Sequence, residues 1–259
     1  MSLAELEAAL RDVTLGGLRY FDSIGSTNDE ALAWAASGGR DFSLVVADTQ
    51  TSGRGRLGRK WFTPPGAGLA FSLALRPTRL ESEQFGRFAG LGALALVGAL
   101  RLHGLSAQVK WPNDVLIRRK KVAGILVEAV WSGTEVDSLV LGMGVNIALQ
   151  ALPPAEELNY PATCLEVEAG VSLARFGLLR DVLMEMVQLR AGLATGEFLE
   201  AWQAALAFRG EQVFLWQGAA QPYPAVLVGL EADGSLCVRD GGGALRSIRS
   251  GEVHLRPSG

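Results

Sequence analysis

The chain is 259 residues long, 49% apolar and 20% charged, with a formal net charge of −3 and a pI near 5.5. That length suits one large domain plus a small one, and the acidic balance argues against a broad nucleic-acid surface while allowing a local basic pocket. With only His103 and His254, no zinc cluster or metalloprotease motif can be assembled, and the distant Cys164 and Cys237 read as free thiols of a reducing, cytoplasmic compartment.

The N-terminus, "MSLAELEAALRD", is acidic and amphipathic; Ser2 and Glu5 form a capping box for a helix over 2–12, and no signal-peptide core is present. A short strand at "LRYFDS" precedes a helix in "STNDEALAWAASGG", with Thr27 as its cap, Glu30 at the capping-box position and Gly38-Gly39 as its stop. The strand "SLVVAD", a glycine–arginine loop and the strand "GLAFSLALRP" follow. A helix is predicted over 81–103. Its uncharged stretch "FAGLGALALVGAL", residues 88–100, falls short of the roughly 20 residues that span a bilayer, so it reads as a buried core helix. "QVKWPNDVLI", "KKVAGILVEAV" and "SLVLGMGVNIAL" read as three strands, the first two joined by "RRKK", a solvated hairpin tip. A Pro-rich loop over 152–161 and helices over 172–192 and 197–207 close a first domain, residues 1–208. The remainder, 209–259, is short strands between turns, the texture of a small attached barrel.

The loop "TSGRGRLGRKW", residues 51–61, spells G-x-G-x-x-G at Gly53, Gly55 and Gly58. A dinucleotide fingerprint needs a helix after the third glycine, and Pro64, Pro65, Gly66 and Gly68 forbid one. Glycine-freed amides interleaved with Arg54, Arg56 and Arg59 suit a phosphate or carboxylate instead. Taken singly, the other motifs are bland. Ser26, Thr27 and Asn28 start a helix, "WPND" makes a turn, and Gly142, Gly144 and Asn146 mark a strand bulge; His103 answers a helix dipole. Together with Lys110 and Lys121, however, the arginines supply cations without any Ser-His or Cys-His pair. Such a set fits displacement at phosphorus, where positioning and charge stabilisation dominate, although the usual P-loop is missing.

In this order and at these spacings, "STNDEA", "QTSGRGRLGRKW", "VKWPNDV", "KKVAGILVE" and "GMGVNI" resemble the biotin–protein ligases, from about residue 20 to the C-terminus. The resemblance implies an α+β fold with a class II aminoacyl-tRNA-synthetase-like catalytic core and a C-terminal SH3-like β-barrel. It implies activation of biotin by ATP and Mg2+ to biotinyl-5′-AMP, then transfer to a lysine of a biotin carboxyl carrier protein, as of acetyl-CoA carboxylase. By the same resemblance, Ser26, Thr27, Asn28 and Gln50 hydrogen-bond the biotin head group. Arg54, Gly55, Arg56 and Lys121 hold the carboxylate and phosphate, and "VAGILVE" walls the thioether ring, with Gly124 allowing close approach. Arg56, Arg59, Trp61, Lys110, Asn113 and Asn146 face ATP, Trp61 by packing on adenine. Arg54, Arg56, Lys110 and Lys121 are the catalytic cations, Asp114 orients the incoming lysine amine, and no residues form a dedicated metal site. The alternatives are a lipoate–protein ligase, which shares the adenylation logic, and a biotin-responsive regulator. Only about 25 residues precede Ser26, too few for a DNA-reading domain, so no DNA or membrane partner is expected. A homodimer through an exposed sheet edge is compatible with the pattern.

Overall fold

The computed structural model describes residues 2–133, 135–154, 156, 158, 160–217, 221–249 and 253–257. Its larger part is a seven-stranded mixed sheet. The strands are β1 (Gly17–Ile24), β2 (Ser43–Gln50), β3 (Gly68–Leu75), β4 (Gln108–Lys110), β5 (Asp114–Ile117), β6 (Lys120–Ser132) and β7 (Glu135–Asn146), in the order β1-β2-β3-β7-β6-β5-β4. Only β1 and β2 pair in parallel, and the helix between them, α2 (Thr27–Ala36), is their crossover. The other neighbours are antiparallel, so the order is not that of a dinucleotide-binding sheet.

Strand alternation sorts the residues onto two faces. Leu44, Val46, Leu139, Leu141 and Val145 enter the main core, while Val45 and Val140 meet Ala31 of α2 on the other side. The main core is filled by α4 (Phe88–Leu102) and α6 (Arg175–Ala191), with α1 (Leu3–Ala9), α5 (Leu165–Ala169) and α7 (Gly196–Ala205) around them. Residues 85–102 are long and apolar enough to cross a membrane, but Phe88, Leu91, Leu96 and Leu100 are wholly enclosed by the protein itself. The helix predicted over 81–103 is three pieces. Thr78 and Glu81 form a capping box on the short helix α3 (Arg79–Ser82), a 3-10 turn spans Phe85–Arg87, and α4 begins afterwards. The break falls where Gly86 meets the carbonyl of Asp233 and Arg87 turns inward.

The strand predicted at "QVKWPNDVLI" is likewise two, because Pro112, which has no N–H to donate, sits in the turn between β4 and β5 after a cis peptide bond. The outer edge of β4 is covered: Leu206 bridges Val109, and Ala207 N–H donates to the Val109 carbonyl at 2.9 Å. The tip "RRKK" is exposed at residues 118–120, as expected, and carries two ion pairs. Arg118 and Arg119 take left-handed φ of 47° and 64°; Arg118 pairs with Glu168, and Arg119 pairs with Glu211 and lies over Phe208.

The C-terminal part is a five-stranded antiparallel sheet, β11-β10-β9-β8-β12, built from β8 (Gln212–Gln217), β9 (Tyr223–Leu230), β10 (Leu236–Asp240), β11 (Leu245–Ile248) and β12 (Val253–Pro257). Glu252, the expected start of the last strand, lies outside the described residues. Val213, Leu215, Leu227, Leu236 and Val238 belong to the same apolar cluster as the large sheet. Arg87 ties the two: Nη1 donates to the carbonyls of Leu193 and Thr195 at 2.8 and 2.9 Å, and Nη2 to that of Ala232 at 2.6 Å. Trp111 Nε1 adds a bond to the Gly234 carbonyl at 2.9 Å.

Candidate active site

A cleft of about 1050 Å³ opens on the sheet face opposite the main core, between residues 49–65, 110–125 and 142–162. Its volume suits a sizeable small-molecule ligand. Gly124, Gly142 and Gly144 form the floor, paired across β6 and β7 in regular register, so the bulge expected at Gly142–Asn146 does not form. Close approach explains two of these glycines. A Cβ at Gly142 would lie 1.9 Å from Asn28 Oδ1, and one at Gly144 would lie 2.2 Å from the Trp61 indole, distances no side chain survives.

The glycine–arginine loop roofs the cleft as a small hairpin. Gly55 N–H donates to the Arg59 carbonyl at 2.7 Å and Trp61 N–H to that of Gly53 at 2.8 Å, around a 3-10 turn at Arg56–Gly58. Gly58 has φ +71° there, and the chain runs on into β3 without a helix, which removes the dinucleotide reading. Arg54, Gly55, Arg56 and Arg59 all line the cleft.

At one end the structure gathers Ser26, Thr27, Asn28 and Gln50. Ser26, rather than Thr27, is the cap of α2, because the Thr27 backbone N–H and hydroxyl both donate to Gln50 Oε1, at 2.8 and 3.0 Å. Glu30 pairs with Arg19 and takes no part in a capping box. Thr27 and Gln50 line the cleft, whereas Ser26 and Asn28, 3% and 5% exposed, are buried behind its wall. Asn28 Oδ1 is 2.6 Å from Ser72 Oγ, and its Nδ2 donates to Glu128 Oε2 at 2.7 Å. Of the wall expected from "VAGILVE", Gly124 and Ile125 line the cleft, Ile125 also reaching the core, while Ala123 and Val127 pack in the core alone.

At the other end lies Asp114, between Lys121 at 2.6 Å and Lys110 at 3.2 Å. Burial alone would raise its carboxyl, but the two ammonium groups overcome that and hold it at about 2. Lys121 Nζ lies 5.4 Å from the Trp61 ring centre and Lys110 Nζ 5.0 Å from that of Tyr160. Asn113 Nδ2 donates to the Ile125 carbonyl and its Oδ1 accepts from Arg56 at 3.2 Å, while Asn146 Nδ2 reaches the Thr163 carbonyl. Desolvation by burial is the main influence drawing the Arg56 guanidinium below its ordinary value. Arg54, which lines the cleft, is also held by Asp29 at 2.5 Å and Glu128 at 3.0 Å.

Among the described residues, Arg54, Arg56, Arg59, Lys60, Lys110 and Lys121 thus share the cleft lining with one carboxylate, Asp114. A cleft so charged inside an acidic chain is built to draw anions together. Among the described residues no group of three or more His, Cys, Asp or Glu side chains is placed to hold a metal. His103 sits at the C-terminus of α4, its Nε2 3.0 Å from Asp181 Oδ2, and Cys164 and Cys237 are buried free thiols; none of the three lines the cleft. Ser72, Asp29, Glu128 and Tyr160 were not foreseen. Glu128 alone left a signal, four residues after Gly124 on one strand and therefore on its face.

The sequence profile of the biotin/lipoate A/B protein ligase family matches residues 20–146. The bifunctional ligase/repressor BirA of Bacillus subtilis is 36% identical over 186 residues, 71% of this chain; the match spans 57% of the relative's own length. The biotin–[acetyl-CoA-carboxylase] ligase of Mycobacterium tuberculosis is 33% identical over 96% of each chain. Among solved structures, the biotin protein ligase from Aquifex aeolicus in complex with biotin and ATP has a TM-score of 0.77 and 31% identity, covering 93% of this chain and 99% of that one.

Proposed function

The chain belongs to the biotin/lipoate A/B protein ligase family, and from that premise we propose that it activates biotin with ATP and passes the biotinyl group to a lysine of a biotin carboxyl carrier protein. The observation that carries this reading is the excess of cations over carboxylates among the described lining residues, Arg56, Arg59, Lys60, Lys110 and Lys121 against Asp114, with Arg54 paired to Asp29 and Glu128. A carboxylate and a triphosphate repel each other, and fixed cations offset that repulsion where water is excluded. In the first step a biotin carboxylate oxygen attacks the α-phosphorus and pyrophosphate leaves. In the second the acceptor amine attacks the acyl carbon and AMP leaves.

Each residue then has a physical task. Thr27 and Gln50 present hydroxyl and amide groups to the ureido head, held by Ser72 and Asn28 behind them. Lys121 and Arg56 face the charge that develops between carboxylate and phosphorus, while Lys110, Arg59, Asn113 and Asn146 take the nucleotide. Asp114 holds both lysine ammonium groups at the cleft lining, and in this reading it orients the incoming amine. Trp61 offers an aromatic face to adenine or to the biotin ring. Magnesium fits as an ion carried by the phosphates, since the one carboxylate among the described lining residues is already held by two lysines, and no step above depends on it.

Residues 1–208 form the catalytic unit in this reading, and 209–259 an SH3-like barrel, which five short antiparallel strands support. The protein works in the cytoplasm on a carrier rather than on DNA, in keeping with its net negative charge. Pyrophosphate exchange into ATP, run separately with biotin and with lipoate, tests the reading. Exchange that depends on biotin supports it; exchange driven by lipoate alone replaces it with the lipoate reading.

A further inference from the structure

One carboxylate oxygen joins two parts of the cleft. Glu128 Oε2 accepts from Asn28 Nδ2 at 2.7 Å and from Arg54 Nη2 at 3.0 Å. Asn28 is one residue beyond the cleft-lining Thr27 and is held from its other side by Ser72. Arg54 stands at the base of the glycine–arginine hairpin, bridged to Lys60. Its second partner, Asp29, has a side chain 61% exposed, against 27% for Glu128. An exposed ion pair contributes little, because solvent screens it. A sheltered carboxylate that also anchors an amide holds the arginine more firmly.

We propose that Glu128 is a positioning residue that sets the glycine–arginine loop at a fixed angle to the head-group wall of Thr27 and Gln50. It does not line the cleft itself. The loop carries Arg54, Arg56, Arg59 and Lys60 close together, and their mutual repulsion favours fraying. Glu128 supplies a countercharge from the sheet, at the loop's base, where it does not compete with a ligand for Arg56 or Arg59. Replacing that charge loosens the roof while leaving the lysines around Asp114 as they are.

The kinetic part of this role rests on the biotin-adenylation reading; the structural part does not. The test is limited trypsin digestion of the ligand-free full chain, with cuts after Arg56, Arg59 and Lys60 followed by mass spectrometry, for Glu128→Gln and Arg54→Gln. Biotin-dependent pyrophosphate exchange is then measured for the same proteins and for the double variant. Cleavage in the loop is expected to quicken roughly tenfold in each single variant, with melting temperature and cleavage elsewhere unchanged. In Glu128→Gln the KM for biotin should rise roughly tenfold while kcat changes far less. The double variant should be no worse than the poorer single one, because both substitutions break the same bond. Arg54→Gln breaks it from the loop's side, so the digestion decides even if Glu128→Gln does not fold. Loop cleavage at the parental rate, or losses that add in the double variant, overturns the proposal. A parental enzyme without biotin-dependent exchange would sink the adenylation reading instead, with the digestion still deciding the role of Glu128.

Discussion

Arg87 and Lys110 are about equally buried, at 5% and 9% exposure, yet they are satisfied in opposite ways. Arg87, at the joint between the two sheets, donates to carbonyls of Leu193, Thr195 and Ala232. Those acceptors are backbone and cannot leave. Lys110 and its neighbour Lys121 share the single carboxylate of Asp114, and all three border an open cleft. A lysine is a point charge on a flexible stem, able to turn from a carboxylate toward a phosphate, whereas a guanidinium fork fits one fixed set of acceptors. The contrast separates a cation that fastens the fold from cations held ready for chemistry.

Removing the fastening cation should have the largest effect on stability. Arg87→Ala leaves the carbonyls of Leu193, Thr195 and Ala232 in a buried joint with no donor, a loss of about 3 kcal/mol, or a melting temperature lower by roughly 6–12 °C. Thermal denaturation reads this directly, and exchange activity per folded molecule at low temperature should survive. A melting temperature unchanged within error would mean that water replaces the guanidinium.

Lys121→Ala should reverse the pattern. Loss of a cation beside developing phosphate charge is expected to slow pyrophosphate exchange about a hundredfold, near 3 kcal/mol in the transition state, with a smaller loss of stability because Asp114 keeps Lys110. Parental exchange in the purified variant would remove Lys121 from the reaction.

Asp114 sharpens the comparison through pH. Its carboxyl is held at about 2, below the ordinary 3.8, so the stability it contributes is present above pH 4 and is lost as pH falls through 2. The contribution is about 2 kcal/mol. Urea denaturation at pH 5 and at pH 2 should show a smaller difference for Asp114→Asn than for the parent chain. Equal differences would mean that other carboxylates carry the acid response.

Much of this arrangement was legible before any coordinates. Gly58 and the prolines after it were enough to discard the dinucleotide site, and the loop, both lysines and Asp114 do meet in one cleft. What escaped were facts of orientation. "VAGILVE" is apolar, but nothing in composition says that Ala123, Ile125 and Val127 pack in the core while Gly124 and Glu128 share the opposite face of the strand. That follows from the register of β6 against β7. Ser26 and Asn28 belong to the right cluster, yet the depth at which they sit depends on Ser72, 44 residues beyond Asn28 on another strand. The broken helix at 79–102 was unreadable for a similar reason, since its cause is a carbonyl of Asp233 from the far end of the chain.

The sealed outer edge of β4 bears on how copies of this chain can assemble. Leu206 and Ala207 occupy the Val109 backbone that a further strand beside β4 would need, whereas at the opposite margin β1 has no strand beyond it among the described residues. A sheet with two open margins can extend without limit, chain upon chain. One with a single open margin is used up by the first pairing, and association along it stops at two.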